Sequence, residues 1–303
     1  MSTVRVAIVA GETSGDALGA ALIEALRARV SELRVAGVAG PKMRAAGCEP
    51  LADAHELSVM GLLEVLPHLP RLLRLRARLA RQILRLQPDV FIGVDYQQFN
   101  LGLAQRLKPR GIATVQYVSP QVWAWRQGRV TTIGRAFDLV LCLLPFEPDF
   151  YREHTVAARF VGHPLADQIP MQADRAAARA TLGLDAGSSV LALLPGSRLG
   201  EVQRLSTPFL RAAGLLAARR PGLQIIAPMA APAVRQEFER SLAELETQLS
   251  VRILDGQART ALTAADAALV TSGTATLEAL LCRCPMVVAY RVGAVTALLL
   301  RRL

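Results

Sequence analysis

The sequence predicts an α/β protein built from two doubly wound, Rossmann-like domains facing one another across a cleft. Three observations predict it. A buried-looking strand from Val4 to Ala10 runs into the small-residue turn Gly11-Glu12-Thr13-Ser14-Gly15-Asp16, which opens a helix. A second strand, from Val190 to Leu194, runs through Pro195 into Gly196-Ser197-Arg198. Around both junctions, short apolar runs alternate with helical stretches, and this alternation breaks and restarts once. A helix start presents unpaired N–H groups and the positive end of its dipole, so both junctions suit an anionic ligand. Such a layout is that of an enzyme handling a nucleotide sugar.

In the first half, 17–29 has helical periodicity and 35–39 is a short strand ending in Gly40-Pro41. Residues 57–66 are apolar around Gly61, and 72–86 are helical. A strand from Asp89 to Val94 ends at Asp95; a helix over 101–107, a strand over 112–117 and a strand over 139–144 follow. The pattern breaks near Gly162-His163-Pro164, and Pro170 opens a polar stretch that reads as a linker. The domains are therefore expected at 1–165 and 166–303. The second half restarts with the strand at 190–194, a helix over 205–220 and a strand over 223–228. A helix over 234–246, a strand over 251–254 and a helix over 260–265 come next. A strand over 267–270, the turn Thr271-Ser272-Gly273-Thr274, a helix over 275–281 and a strand over 286–289 complete it. Residues 298–303 read as an amphipathic helix without a stop signal, so a longer natural chain is expected.

Composition narrows the function. The 303 residues are 52% hydrophobic and 20% charged, which describes a folding chain and not a disordered one. Mean hydropathy is high at +0.31. Even so, no apolar run reaches the roughly 18 residues that span a bilayer. No secretory signal opens the sequence, which points to the cytoplasm. The net charge of +10 suits nucleic acid, an anionic membrane surface or phosphorylated small molecules. Nucleic acid is the weakest of these, because aromatics are 5% and no helix-turn-helix or Cys/His finger is present. Cys48, Cys142, Cys282 and Cys284 read as reduced core thiols, and the scattered His55, His68, His154 and His163 form no metal pattern.

Several residues carry candidate chemistry. The turn at 11–16 matches neither the dinucleotide fingerprint nor a Walker loop, and Glu12 and Asp16 suit sugar hydroxyls better than phosphate. Asp95 stands at a strand's carboxyl end beside Tyr96 and Phe99, where a carboxylate serves either as a general base or as a helix N-cap. Trp123 and Trp125 either line an acceptor pocket or pack a loop. In Gly196-Ser197-Arg198 the glycine permits close approach, the serine offers a hydroxyl and the arginine a fork of donors for a diphosphate. Ser272, Gly273, Thr274 and Thr276 form a hydroxyl-rich helix start for the same diphosphate, with Glu278 one turn in for ribose hydroxyls. Arg71, Arg74, Arg78, Arg81 and Arg85 recur at helical spacing opposite a leucine face, either as a solvated surface or as a basic face for lipid phosphates. The preceding apolar stretch, with Met60 and Leu63, is suited to acyl chains.

Taken in order, these segments resemble lipid-A-disaccharide synthase, a bacterial family of inverting glycosyltransferases. The resemblance runs through Val9 to Asp16, Val38-Ala39-Gly40-Pro41, Val59-Met60-Gly61, Tyr117 to Arg126 and Leu144-Pro145-Phe146-Glu147. It continues in Gly162-His163, Leu193 to Arg198, Ser272 to Ala275 and Cys284 to Val288. It implies a GT-B fold and condensation of UDP-2,3-diacylglucosamine with 2,3-diacylglucosamine 1-phosphate, releasing UDP. It also implies no cofactor and no metal, attachment to the inner face of the inner membrane, and a homodimer when full length. Asp95 is then the candidate base, with Glu12 beside it; Arg198 and Glu278 hold the donor. The acceptor and its lipid fall to Ser14, Asn100, Gln121, Trp123, Met60 and Leu63. Gln97-Gln98 departs from the family's usual Pro-Asp, removing a carboxylate from the acceptor loop. The alternatives are an enzyme like UDP-N-acetylglucosamine 2-epimerase, or an inactive, truncated UDP-sugar-binding module.

Overall fold

The computed structural model describes residues 3–57, 62–245 and 248–292, with residues 13, 55 and 62–68 described through their backbone alone. The chain divides into two compact units, Met1–Pro164 and Leu165–Leu303.

The first unit runs β1 (Val4–Ala10), α1 (Thr13–Arg27), β2 (Leu33–Ala39), α2 (Pro41–Ala45), β3 (Glu49–Asp53), α3 (Leu62–Leu86) and β4 (Val90–Val94). It continues with α4 (Gln97–Leu107), β5 (Ala113–Tyr117), α5 (Val130–Ala136), β6 (Leu139–Cys142), α6 (Glu147–Glu153) and β7 (Ala158–Phe160). The strands form a seven-stranded sheet in the order β3-β2-β1-β4-β5-β6-β7. All of its pairings are parallel. Period-two alternation divides β1 between two cores: Val6, Ile8 and Ala10 face one cluster, Ala7 and Val9 the other. Helices on both faces explain why β1 and β4 are nearly uninterrupted apolar runs.

The second unit follows a short helix α7 (Pro164–Gln168) that starts at the boundary. It runs α8 (Arg175–Thr181), β8 (Val190–Leu194), α9 (Leu199–Arg219), β9 (Gln224–Met229), α10 (Pro232–Ala243) and β10 (Arg252–Asp255). It ends with α11 (Ala258–Ala264), β11 (Ala267–Thr271), α12 (Thr274–Leu281) and β12 (Met286–Ala289). Its five strands are parallel in the order β10-β9-β8-β11-β12. Leu191 and Leu193 face one core, and Val190, Ala192 and Leu194 the other.

Several elements depart from expectation. Helix α1 starts at Thr13, not at residue 17, so the small-residue turn is itself the first helical turn. Helix α9 starts at Leu199 and passes through Pro208, and α3 begins at Leu62 and passes through Pro67 and Pro70, where a sequence rule places a break. In α3, amphipathic burial of Leu72, Leu75, Leu79 and Ile83 outweighs the lost backbone bonds. Strands β3 and β7 were not expected. Both are edge strands, and Pro50 in β3 is tolerated because an edge leaves N–H groups unpaired. The helix expected at 298–303 lies outside the described residues.

Both sheets are fastened at their amino-terminal ends by one device. Asp89, Asp138 and Asp266 each stand just before a strand, opposite a residue near the start of the neighbouring strand. Their carboxylates accept from the backbone N–H of Arg5, Thr114 and Val190, each at 2.8 Å. Their own backbone N–H groups donate to the carbonyls of the same three residues at 2.8–2.9 Å. Arg175 and Arg179 add ion pairs to Asp266, both at 2.9 Å. Partial burial pushes the Asp138 carboxyl up, but hydrogen bonds from Lys108 and Thr114 outweigh it and hold it below the usual carboxylate range.

Candidate functional site

The carboxyl ends of the strands are thereby left to other work. Ligands of open α/β sheets gather where the strand order reverses. In the first unit that point lies between β1 and β4, and Glu12 and Asp95 follow these two strands directly. Glu12 is the N-cap residue of α1. A Cβ built on Gly15, in the first turn of α1, lies 3.7 Å from the Asp95 Cβ, so the turn carrying Ser14 runs beside Asp95. Gly11 is obligatory, because a Cβ there meets the Tyr96 ring at 2.7 Å. Burial, and then the Glu12 charge, push the Tyr96 phenol up. Glu12, Ser14, Asp95 and Tyr96 are thus brought together.

The backbone here is strained. Asp95 has φ 50° and Tyr96 φ 28°, and after the neighbouring β5 the β-branched Val118 has φ 78°. Left-handed conformations cost an L-residue about 1–2 kcal/mol each and concentrate at functional sites. Two fully buried amides hold this turn. Asn100 Nδ2 donates to the Asp95 carbonyl at 3.0 Å, and Gln116 Nε2 donates to the same oxygen at 2.9 Å. Gln116 also reaches the carbonyls of Tyr117 and Val118, each at 3.3 Å. Both side chains meet over Gly93, where a Cβ comes within 2.7 Å of Asn100 and 2.9 Å of Gln116. Asn100, expected at the acceptor, is fully buried and spends its amide on backbone carbonyls.

Asp16 does not meet sugar hydroxyls as expected. It is 3% exposed, and its carboxylate accepts from the backbone N–H groups of Gly40, Lys42 and Met43 at 2.9–3.1 Å. It caps α2 and ties that helix to α1. Trp123 donates its indole N–H to the buried Glu147 carboxylate at 3.1 Å and packs edge-on against Phe146. Trp125 is exposed, with Arg126 over its ring at 4.7 Å. Gln121 is exposed at the start of the same 3-10 turn. Met60 lies outside the described residues, and Leu63 is described only as backbone of α3.

In the second unit the strand order reverses between β8 and β11, and both expected donor turns follow those strands. Their helix starts differ. At α9, Glu201 is 7% exposed and places its own carboxylate on the turn: Oε2 accepts from the backbone N–H of Ser197 at 3.3 Å and of Arg198 at 3.4 Å. Its Oε1 accepts from the Arg198 guanidinium at 3.0 Å. A Cβ on Gly196, whose φ is 137°, meets Glu201 Cβ at 2.5 Å. The backbone amides of this turn are therefore engaged by a resident carboxylate, which also pairs with the Arg198 guanidinium. At α12, by contrast, the N-cap is Gly273, which has no side chain to cap the first turn. Ser272, Gly273 and Thr274 are exposed there, and Thr276 Oγ1 donates to the Gly273 carbonyl at 2.7 Å. Glu278 is 3.6 Å from the Arg259 Nε. The start of α12 therefore differs from that of α9 in carrying no resident carboxylate on its N-cap residue. Among the described residues, no three His, Cys, Asp or Glu side chains group as metal ligands.

Residues 6–303 match the family model described as lipid-A-disaccharide synthetase. The chain belongs to the lipid-A-disaccharide synthetase family. It is 53% identical over 300 residues to lipid-A-disaccharide synthase of Serratia proteamaculans, covering 99% of this chain and 78% of that one. It is 55% identical over 293 residues to the same enzyme of Xanthomonas euvesicatoria, covering 96% and 67%. Among solved structures it is similar to UDP-GlcNAc 2-epimerase from Neisseria meningitidis bound to UDP-GlcNAc, with TM-score 0.66, 11% identity and coverage of 98% and 85%. It is also similar to the calicheamicin glycosyltransferase CalG4, with TM-score 0.56, 17% identity and coverage of 95% and 80%. At such identities these structures show the fold, that of GT-B proteins. Membership places the chain among the glycosyltransferases of lipid A disaccharide synthesis, and the epimerase alternative is not favoured. The Gln98 amide lies against the Arg129 guanidinium, and its oxygen accepts from Arg129 only when the amide is turned end for end. Gln116 escaped the sequence expectations. It was signalled only by an amide within a strand, beside Val115 and Tyr117.

Proposed function

We propose that the chain condenses UDP-2,3-diacylglucosamine with 2,3-diacylglucosamine 1-phosphate, giving a β-1,6-linked disaccharide 1-phosphate and UDP. The observation that carries the assignment of roles is the strained, doubly clamped Asp95 beside Glu12 at the reversal of the first sheet. The Asp95 carboxylate takes the proton of the acceptor's primary hydroxyl. That oxygen attacks the donor's anomeric carbon, the bond to the diphosphate breaks, and its electron pair leaves with UDP. Glu12, Ser14, Gln121 and Trp123 orient the acceptor, and Asn100 acts through the backbone of Asp95. In the second unit, Ser272, Gly273, Thr274 and Thr276 at the start of α12 receive the diphosphate, joined by Arg198 beside Gly196 and Ser197. Glu278 holds the ribose. Met60 and Leu63 contact acyl chains.

The membrane is approached through α3, whose exposed Arg71, Arg74, Arg78, Arg81 and Arg85 lie beside the exposed Leu69 and Leu73. Among the described residues no helix is long and apolar enough to cross a membrane. This basic surface supports peripheral attachment at the cytoplasmic face of the inner membrane. A homodimer is part of the proposal.

Incubation with both acylated glucosamine substrates is expected to release UDP in step with disaccharide. Asp95→Asn should abolish turnover while UDP still binds by calorimetry. Undiminished turnover in Asp95→Asn overturns the assignment of the base.

A further inference from the structure

The proposed base is held by a backbone that its own sequence disfavours. Asp95 and Tyr96 are consecutive left-handed residues, and neither is glycine. Left alone, such a turn relaxes toward negative φ, and the Asp95 side chain swings with it. Opposing this, two side-chain amides converge on one acceptor, the Asp95 carbonyl oxygen, at 3.0 Å from Asn100 and 2.9 Å from Gln116. Both amides are fully buried, and both come from elements flanking the turn: Gln116 from the adjacent strand β5, Asn100 from the first turns of α4. Gln116 extends the same grip to Tyr117 and to the carbonyl of Val118, the third left-handed residue. Every amide nitrogen contact here is to a carbonyl oxygen, which fixes how each amide is turned. Gly93 is the gap through which the two side chains reach the turn.

From this we infer that Gln116 is a positioning residue for the reaction: it pins the peptide after Asp95 in its left-handed form, jointly with Asn100, and so aims the carboxylate at the acceptor hydroxyl. This rests on the proposal that Asp95 is the base. Binding of the UDP-sugar, which falls to the second unit, is not part of Gln116's role.

Gln116→Met keeps length and burial but removes both amide donors. Thr114→Val is the matched control. Thr114 is equally buried two residues earlier on β5 and hydrogen-bonds the Ala136 carbonyl and Asp138, away from the turn. Both variants are expected to lower the melting temperature. Gln116→Met alone should lower kcat, by roughly 10- to 100-fold, because misplacing a reacting group by about 1 Å costs that much. KM for the UDP-sugar should stay unchanged. Asn100→Ala should lower kcat in the same manner, and the double variant should lose less than the product of the two single effects, because both act through one carbonyl. If Gln116→Met unfolds, Asn100→Ala and a Gln116→Leu variant, uncharged and without amide donors, carry the same comparison. Asp95→Asn is assayed in parallel: if it stays active, the base assignment fails. If Asp95→Asn is inactive while Gln116→Met keeps full kcat, or if Thr114→Val loses as much kcat as Gln116→Met, the positioning inference is overturned.

Discussion

Glu201 holds Arg198 twice, accepting from its guanidinium at 3.0 Å and from its backbone N–H at 3.4 Å. The same carboxylate that caps α9 therefore also aims the cation proposed for the diphosphate. Arg198→Ala should cut kcat/KM for the UDP-sugar by roughly 10²–10³-fold, the size of effect seen when a donor to developing negative charge is lost. The fold should persist. Glu201→Ala should do two things at once: lower stability by about 1–2 kcal/mol through loss of the cap, and raise KM for the donor more than it lowers kcat. Urea melts and steady-state kinetics separate the two, and a variant that changes only stability breaks the link between cap and cation.

Asp16 is a structural carboxylate. Asp16→Ala strands three backbone N–H groups of the α2 start and should destabilise the protein by about 3 kcal/mol or more. Asp16→Asn, which retains one accepting oxygen, should recover part of that. Equilibrium unfolding in urea is the test. Loss of turnover with an unchanged unfolding midpoint would return Asp16 to the ligand-binding set.

Alkaline pH should weaken the fold. Burial pushes the thiols of Cys48 and Cys142 up to about 12 and that of Cys284 to about 11, from an ordinary 9.0. Burial likewise pushes the Tyr151 phenol from 10.0 to about 12, against a hydrogen bond with Ser119 that lowers it. Below pH 9 both folded and unfolded chains keep these protons, so the contribution is fully present. Between about pH 9 and 12 the unfolded chain releases protons that the folded one retains, and stability falls as pH rises. Melting temperature should therefore decline from about pH 9 upward, more gently in Cys48→Ala. A level profile from about pH 9 to 11 contradicts the burial argument.

The arginine face of α3 predicts salt-sensitive vesicle binding. Replacing Arg71, Arg74 and Arg78 by Gln should reduce co-sedimentation with anionic phosphatidylglycerol vesicles, at about 1 kcal/mol per lost cation at low salt. Arg78 also pairs with Glu56 at 3.3 Å, so its share should be the smallest of the three. Equal binding of both proteins to anionic and neutral vesicles removes α3 from the membrane contact.

Much of this architecture was legible because buried parallel strands advertise themselves. The runs at 190–194 and 286–289 match β8 and β12 residue for residue. What escaped reading was local chemistry overridden by packing. Pro67 and Pro70 argue for a helix break, yet α3 continues past them, with Leu72, Leu75, Leu79 and Ile83 buried on one face. Pro50 hid β3 for the same reason, since periodicity does not announce that a strand lies at an edge. At the candidate site, the carboxylate at Asp95 could be picked from its place after a strand, whereas its clamp could not. Gln116 lies 21 residues away in sequence and meets it only through the pairing of β4 with β5. Asp16 misled: an acid at a helix start looks ready for a ligand until the backbone amides it already serves are known.

The three aspartates that lock strand starts, Asp89, Asp138 and Asp266, bear on how such a protein can change over time. Because cohesion is concentrated at one rim of each sheet, loops at the opposite rim are released from holding the strands in register. They can host awkward backbone, as Asp95 and Tyr96 illustrate, and new substrate preferences can arise there without rebuilding the scaffold.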